Sequence, residues 1–336
     1  MPSGDRSILE RSPLARLPDR ALKYGLTALA ALILALIVYF FVRLVGESRP
    51  AFARAGVFGF TFDKDWNVSG ERFGALPLVL GTLITSALAL LIGVPVAVAT
   101  AIYANELCPL RLRAALTVLV ELLAAVPSVV YGLWGIFFLA PKLQGAEQWV
   151  ADRLSFIPFI GGGTVTIPNY FIAGLILAIM ILPIVSAISR EVMATVPADH
   201  KEAALALGAT RWEMIRTAVI PYCRAGIVGG AMLGLGRAIG ETIAVTIVIG
   251  NAPQLGSHLF GQGYSLAAVI ANEFGEAQGL HRSALFAAGL VLFVLTLAVN
   301  GIARVLVSRA SRGGKTAATP AAAAGSQPIA GAVAGA

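Results

Sequence analysis

Pro197 to Pro221, reading PADHKEAALALGATRWEMIRTAVIP, is a polar stretch held between two strongly apolar ones. It carries helix punctuation that a bare loop does not need. Asp199 with Glu202, and Thr210 with Glu213, have capping-box spacing, in which a side-chain oxygen and a carboxylate three residues on satisfy the first free N–H groups of a helix. Gly208 stands where the left-handed residue after a helix belongs, and Pro197 and Pro221 close the two ends. The spacing predicts two short helices with a sharp corner between them. A folded loop of this kind implies something to hold.

What flanks it is membrane. Of 336 residues, 57% are hydrophobic and 13% are charged, against about 25% charge in a soluble domain. The apolar residues gather into runs of about 20 or more, enough to cross a bilayer as helices. The expected fold class is therefore an all-α membrane protein with six transmembrane helices. The spans are read at about 25–45, 76–104, 114–140, 170–188, 225–250 and 284–307, within a membrane domain over 25–307. Residues 1–24 form a polar N-terminal segment, and the apolar run after it is too long for a signal-peptide core and lacks a convincing cleavage site. Pro95, with Gly93, kinks the second span and Pro127 bends the third. The tail over 308–336 is rich in Ala and Gly without periodicity, which predicts disorder.

Six spans place both termini on one side. Lys and Arg number 16 in the segments on that side and 7 in the opposite loops, with Arg43 and Arg237 inside spans. The positive-inside rule then puts the termini and the 197–221 loop in the cytoplasm. The formal charge of +7 is a topology signal rather than a nucleic-acid one, because no basic face with interleaved aromatics occurs. Cys108 and Cys223, placed in cytoplasmic loops, read as free thiols.

No catalytic constellation is present. His200, His258 and His281 are far apart in loops, and no metal-binding or nucleophile-elbow motif occurs. Gly314-Lys315-Thr316 resembles the end of a P-loop, but Arg309 stands where that motif needs Gly. Gly234-x-Gly236 falls inside an apolar helix. The expectation is a protein that is not an enzyme, needs no cofactor or metal, and draws any energy from a partner or an ion gradient.

The fifth span carries the chemistry. Gly226, Gly230 and Gly234 recur every four residues, a small-residue stripe for close helix packing. At about 100° per residue, Arg237 and Glu241 fall within about 60° of Gly234, on the same face. Arg237 lies 13 residues past Arg224, about 20 Å along the helix. A charge at that depth is costly and marks a pathway or a partner. A guanidinium fork also matches a tetrahedral oxyanion. Arg237 is read as part of an anion path, and Glu241 as the group that orients or gates it. The plainer alternative is that the two neutralise each other.

Glu202-Ala203-Ala204, Gly208 and Ile220-Pro221 resemble the EAA motif of ABC importer permeases, with Ala218 and Ile220 in place of the motif's Ile and Leu. The resemblance implies a coupling helix seated in a cleft of a separate ATPase. Ala203, Ala204 and Ala206 would allow close approach and Glu202 would meet a basic group. Three further blocks narrow it: GLGRAIGET from Gly234, ELLAAVPSVVYGLWG from Glu121 to Gly135, and RFGALPLVLGTLITS from Arg72 to Ser86. Together they are similar to the C-type (PstC-like) permease family of the phosphate-specific ABC importers.

This implies a type I ABC importer permease architecture, with 25–307 as the permease domain and 197–221 as the coupling loop. It implies a multi-pass protein of the bacterial plasma (inner) membrane that translocates inorganic phosphate with energy from a partner. The implied partners are a homologous A-type permease, a cytoplasmic ABC ATPase dimer and an extracytoplasmic phosphate-binding protein, with membrane lipid around the chain and no nucleic acid. In that family the fifth-span Arg and Glu, here Arg237 and Glu241, are associated with phosphate passage. Glu121 could pair with Arg237, meet a basic group on the sister, or turn to the interface. Ser128 and Tyr131 are candidate donors to the anion, or hydroxyls bonded back to their own helix. The alternatives are a permease for another oxyanion, molybdate or sulfate, and an ion-driven carrier.

Overall fold

The computed structural model describes residues 17–312, apart from 162, 255 and 257. The remainder of both termini, including the Gly314-Lys315-Thr316 match and most of the tail expected to be disordered, lies outside the described residues. Among the described residues, five helices are long and apolar enough to cross a membrane, and counting one bent pair as a single span gives six.

The first is α1, Leu17–Ala55, which outruns its apolar core at both ends. After α2, Val57–Phe62, a two-stranded hairpin pairs β1, Trp66–Asn67, with β2, Arg72–Phe73. The second span is α3, Leu76–Ile102, ending in a π-helical turn, Tyr103–Leu107. It packs along the fourth span, α7, Tyr170–Ala194. Small residues let the two backbones meet. A Cβ on Gly93 would lie 2.9 Å from the Ala178 carbonyl oxygen, and one on Gly174 would lie 2.6 Å from the Leu88 Cβ.

The third span is broken, not merely bent. α4, Leu110–Ala125, stops before Val126 and Pro127, both of which are extended. α5, Ser128–Trp134, then leaves at 91° and continues through a π turn, Gly135–Leu139, into α6, Ala140–Arg153. Pro127 has no N–H to give the helix, and its ring drives Val126 out of the helical region. α6 occupies what the sequence reads as the start of a loop.

The helix N-cap of α7 ties that segment down. Asn169 Oδ1 accepts from the Ile172 N–H (2.8 Å), and Nδ2 donates to Glu147 Oε2 (2.8 Å) and to the Thr166 carbonyl (2.9 Å). Glu147 is only 3% exposed, so its carboxylate depends on this bond. Replacing Asn169 with Ala is expected to lower stability by about 2 kcal/mol, from the lost cap and the unsatisfied carboxylate. A thermal melt of the detergent-solubilised protein, followed by intrinsic fluorescence, checks this.

The polar stretch folds as α8, Ala198–Ala206, and α9, Arg211–Met214. Two details differ from the sequence expectation. Asp199 forms no capping box, because Pro197 is itself the N-cap and leaves Asp199 inside the first turn. Pro221 does not end the unit, because α9 runs through a π turn, Ile215–Val219, straight into α10, Ile220–Gly240. Pro221 has no N–H to give the helical ladder and comes two residues after the π turn, whose extra residue already shifts that ladder. Cys223 accordingly sits buried in a helix rather than in a loop.

α10 packs against α7 and also meets α3. A Cβ on Gly226 would stand 2.5 Å from Val192, one on Gly230 3.2 Å from Ile188, and one on Gly234 2.9 Å from Val185. The fifth span is not one helix to residue 250. It stops at Gly240, Glu241 is extended (φ −71°, ψ 124°), and α11, Ile243–Val248, follows.

The last span, α13, Gly279–Arg312, continues past Ser308 and pairs with α1. Ser283 Oγ accepts from the Ala51 N–H (3.0 Å) and donates to the Glu47 carbonyl (2.8 Å). At the end opposite α8, α12, Leu266–Glu273, closes a polar network. Glu273 accepts from Trp66 Nε1 (3.1 Å) and Tyr264 OH (3.3 Å) and meets His281 Nε2 at 2.8 Å. Burial pushes the Tyr264 hydroxyl well above its ordinary value, so it stays a donor.

Candidate functional site

The two broken spans meet. α5 packs on α11, with Gly132 placed so that a Cβ would lie 2.9 Å from Ile247 and 3.2 Å from Ala244. Arg237, in the last turn of α10, is close enough to Tyr131 of α5 to act on it electrostatically. Arg237 is exposed in this single chain and forms no ion pair among the described residues.

Glu241 is not its partner. The helix that would have set the guanidinium and the carboxylate on one face ends between them, and Glu241 Oε1 instead accepts from the Ala244 N–H (3.4 Å), at the start of α11. Tyr131 OH donates to the Leu123 carbonyl (2.7 Å), one of the carbonyls freed where α4 stops. Ser128 is the first residue of α5. Of the N–H groups opening the Ser128–Arg153 run, that of Val130 donates back to the Pro127 carbonyl (3.0 Å), while those of Ser128 and Val129 have no helical turn before them, the condition under which a helix start attracts an anion.

Glu121 finds a different cation from the one weighed. It meets Arg190 of α7 at 3.4 Å, and Arg190 also donates to Thr117 Oγ1. Arg190 sits two residues past the predicted end of the fourth span at 188. The helix extends to Ala194, which keeps Arg190 on the face that α4 covers. Thr117 and Glu121, four residues apart on α4, are the signal that could have found it.

The second site is the α8 corner. Gly208 has φ +84°, the left-handed conformation that lets the chain turn after α8. Thr210 and Glu213 do form a capping box: the Glu213 N–H donates to Thr210 Oγ1 (3.3 Å) and the Thr210 N–H to Glu213 Oε2 (2.8 Å). Glu202 and Ala203 are exposed, whereas Ala204 is half-buried against the cluster of Met214, Ile215 and Val219. Leu207 is 90% exposed and Trp212 60% exposed at the same corner. Sequence reasoning passed over both, although an apolar residue on each side of a turn glycine is an unusual thing to leave in water.

Known proteins match this arrangement. Residues 93–312 match the model of the binding-protein-dependent transport system inner membrane component family. The chain is 47% identical over 271 residues to the phosphate transport system permease protein PstC of Pasteurella multocida, covering 79% of this chain and 84% of that one. It is 46% identical over 288 residues to the protein of the same name from Mesorhizobium japonicum, covering 84% and 88%. Among solved structures it resembles a chain of a bacterial ABC transporter involved in the import of the acidic polysaccharide alginate. The TM-score is 0.56 at 21% identity, over 88% of this chain and 99% of that one. A chain of the bacterial alginate ABC transporter in complex with alginate pentasaccharide-bound periplasmic protein gives 0.58 at 20% identity, over 88% and 98%. Those two likenesses are of fold. The family match over residues 93–312, with relatives 46% and 47% identical over most of the chain, shows that the chain belongs to the binding-protein-dependent transport system inner membrane components.

Proposed function

We propose that this chain is the permease subunit of an ATP-driven phosphate importer, working with a homologous sister permease, an ABC ATPase dimer beneath the membrane and a phosphate-binding protein outside it. The observation that carries the reading is Arg237: a guanidinium with no ion pair among the described residues, beside two span breaks that expose helix ends. The relatives named for phosphate transport support the choice of anion. The end that carries α8 faces the cytoplasm, in keeping with the excess of Lys and Arg on that side.

Phosphate released from the binding protein enters between this chain and the sister. Arg237 takes it through a bidentate fork, and the N–H groups at Ser128 share the negative charge. Tyr131 and Glu241 hold the broken ends in register around that point, and the Glu121–Arg190 pair braces α4 against α7. ATP binding and hydrolysis on the partner move α8, whose exposed corner is the docking surface, and the accessible side changes.

Reconstitution tests this. Proteoliposomes holding this chain, the sister, the ATPase and the binding protein are expected to take up labelled phosphate only with ATP inside. This chain alone is expected to take up none. Uptake by the lone chain would establish an ion-driven carrier instead. Stronger competition by unlabelled molybdate or sulfate than by phosphate would reassign the anion while leaving the permease role in place.

A further inference from the structure

α8 is joined to the helix bundle by very little. Most of its residues are exposed, and its N-terminus has no side-chain cap. Two attachments stand out. Ala204 rests on the apolar cluster that includes Ala101 of α3, Met193 of α7 and Val219 before α10. Lys201 Nζ meets Glu106 Oε1 at 2.6 Å. Glu106 belongs to the π turn that ends α3, its side chain is only 7% exposed, and the Lys201 side chain is 22% exposed.

The anchorage around Glu106 is built from several spans. Asn105 Nδ2 donates to the same Glu106 oxygen (2.7 Å). Arg113 of α4 donates through Nε to the Ala104 carbonyl (2.8 Å) and through Nη2 to the Asn105 carbonyl. The π turn is thus held by α4 while its carboxylate holds α8. On its other side, α8 contacts the second π turn, Ile215–Val219, which leads into α10 and so to Arg237. A π turn carries an extra residue on a strained hydrogen-bond ladder, and such turns gather at functional points of helices. Two of the links from α8 into the spans thus run through π turns, beside the direct chain connection from α7 over 195–197.

We infer that the Lys201–Glu106 ion pair is the link by which the ATPase-facing helix moves the second span. Lys201 and Glu106 are positioning residues for transport, setting how much phosphate moves per ATP and not how tightly the subunits assemble. This rests on the function proposed above. The geometry suits a mechanical link. The pair is short, the carboxylate is sheltered from salt, and its two ends lie 95 residues apart on different elements. Loss of either partner leaves the other charge half-enclosed and uncompensated, so the helix loses its fixed distance from α3.

The test uses the complete reconstituted transporter with phosphate-loaded binding protein. Glu106→Gln, Lys201→Met and the reciprocal pair Glu106→Lys with Lys201→Glu are compared with the wild type. Three quantities are read: yield of the assembled complex, ATP hydrolysis, and phosphate moved per ATP. The single variants are expected to assemble and hydrolyse ATP at near wild-type levels while phosphate per ATP falls about tenfold, a usual size for coupling between sites. The reciprocal variant is expected to regain part of that ratio. An unchanged ratio in both single variants overturns the inference. So does a parallel fall of yield, hydrolysis and uptake at constant ratio, which is what a purely structural staple would give. A wild-type complex that hydrolyses ATP and moves no phosphate overturns the functional reading itself, and this inference with it, before any variant is compared.

Discussion

Arg237→Gln is expected to lower phosphate uptake by about a hundredfold, measured in cells lacking their own phosphate permease at matched membrane levels of the variant. The magnitude follows from what the side chain offers. A hydrogen bond to a charged group contributes about 1.5–3 kcal/mol. Loss of a bidentate pair at the lower value removes about 3 kcal/mol, and each 1.4 kcal/mol is tenfold. Gln keeps comparable length and one donor group but has neither charge nor fork. Arg237→Lys is expected to fall between the two, because Lys keeps the charge as a point and loses the planar geometry. The absence of an ion pair sharpens the expectation: removing Arg237 orphans no carboxylate among the described residues, so a folding defect is not the expected route to lost uptake. Normal uptake by the Gln variant would take Arg237 out of the path.

Leu207→Asp is expected to abolish recovery of the ATPase with this chain, and uptake with it. Leu207 is 90% exposed at the corner beside Gly208, so the change removes little from the fold of the lone chain. Burying a Leu side chain in a partner cleft contributes about 1.5–3 kcal/mol. Losing that contact alone weakens docking by about 10- to 100-fold, and an unpaired carboxylate in the same cleft costs more. Leu207→Met is expected to assemble normally, since volume and apolarity are kept. Pull-down of the ATPase subunit from solubilised membranes reads both variants. Wild-type recovery with Asp at 207 would mean that the ATPase grips elsewhere.

Several features could be read directly from the chain because their causes are local. An apolar run long enough to cross a bilayer does so whatever surrounds it. Gly208 turns the backbone at φ +84° because a left-handed residue after a helix favours glycine, and Thr210 with Glu213 caps α9 through bonds spanning three residues. Family membership was legible for the same reason, since the coupling-loop motif is short and continuous.

The reading failed where it extended helical periodicity through a point at which the helix stops. Placing Arg237 and Glu241 on one face assumed an unbroken fifth span, and α10 ends at Gly240. Asp199 reads as a cap in the sequence, but Pro197 occupies the N-cap position and offers no capping side chain. Partners distant in sequence were invisible for another reason. Arg190 reaches Glu121 across 69 residues, and Lys201 reaches Glu106 across 95.

The sequence alone therefore determined what lies in lipid, the side-to-side imbalance of charge, and the corner at Gly208, since bilayer partitioning and backbone sterics act on each short segment independently. Only the tertiary structure decided which carboxylates Arg190 and Lys201 meet, where the third and fifth spans break against one another, and that Arg237 has no ion pair among the described residues. Those outcomes depend on which helix faces pack together, and a charge takes whatever partner that packing brings within reach.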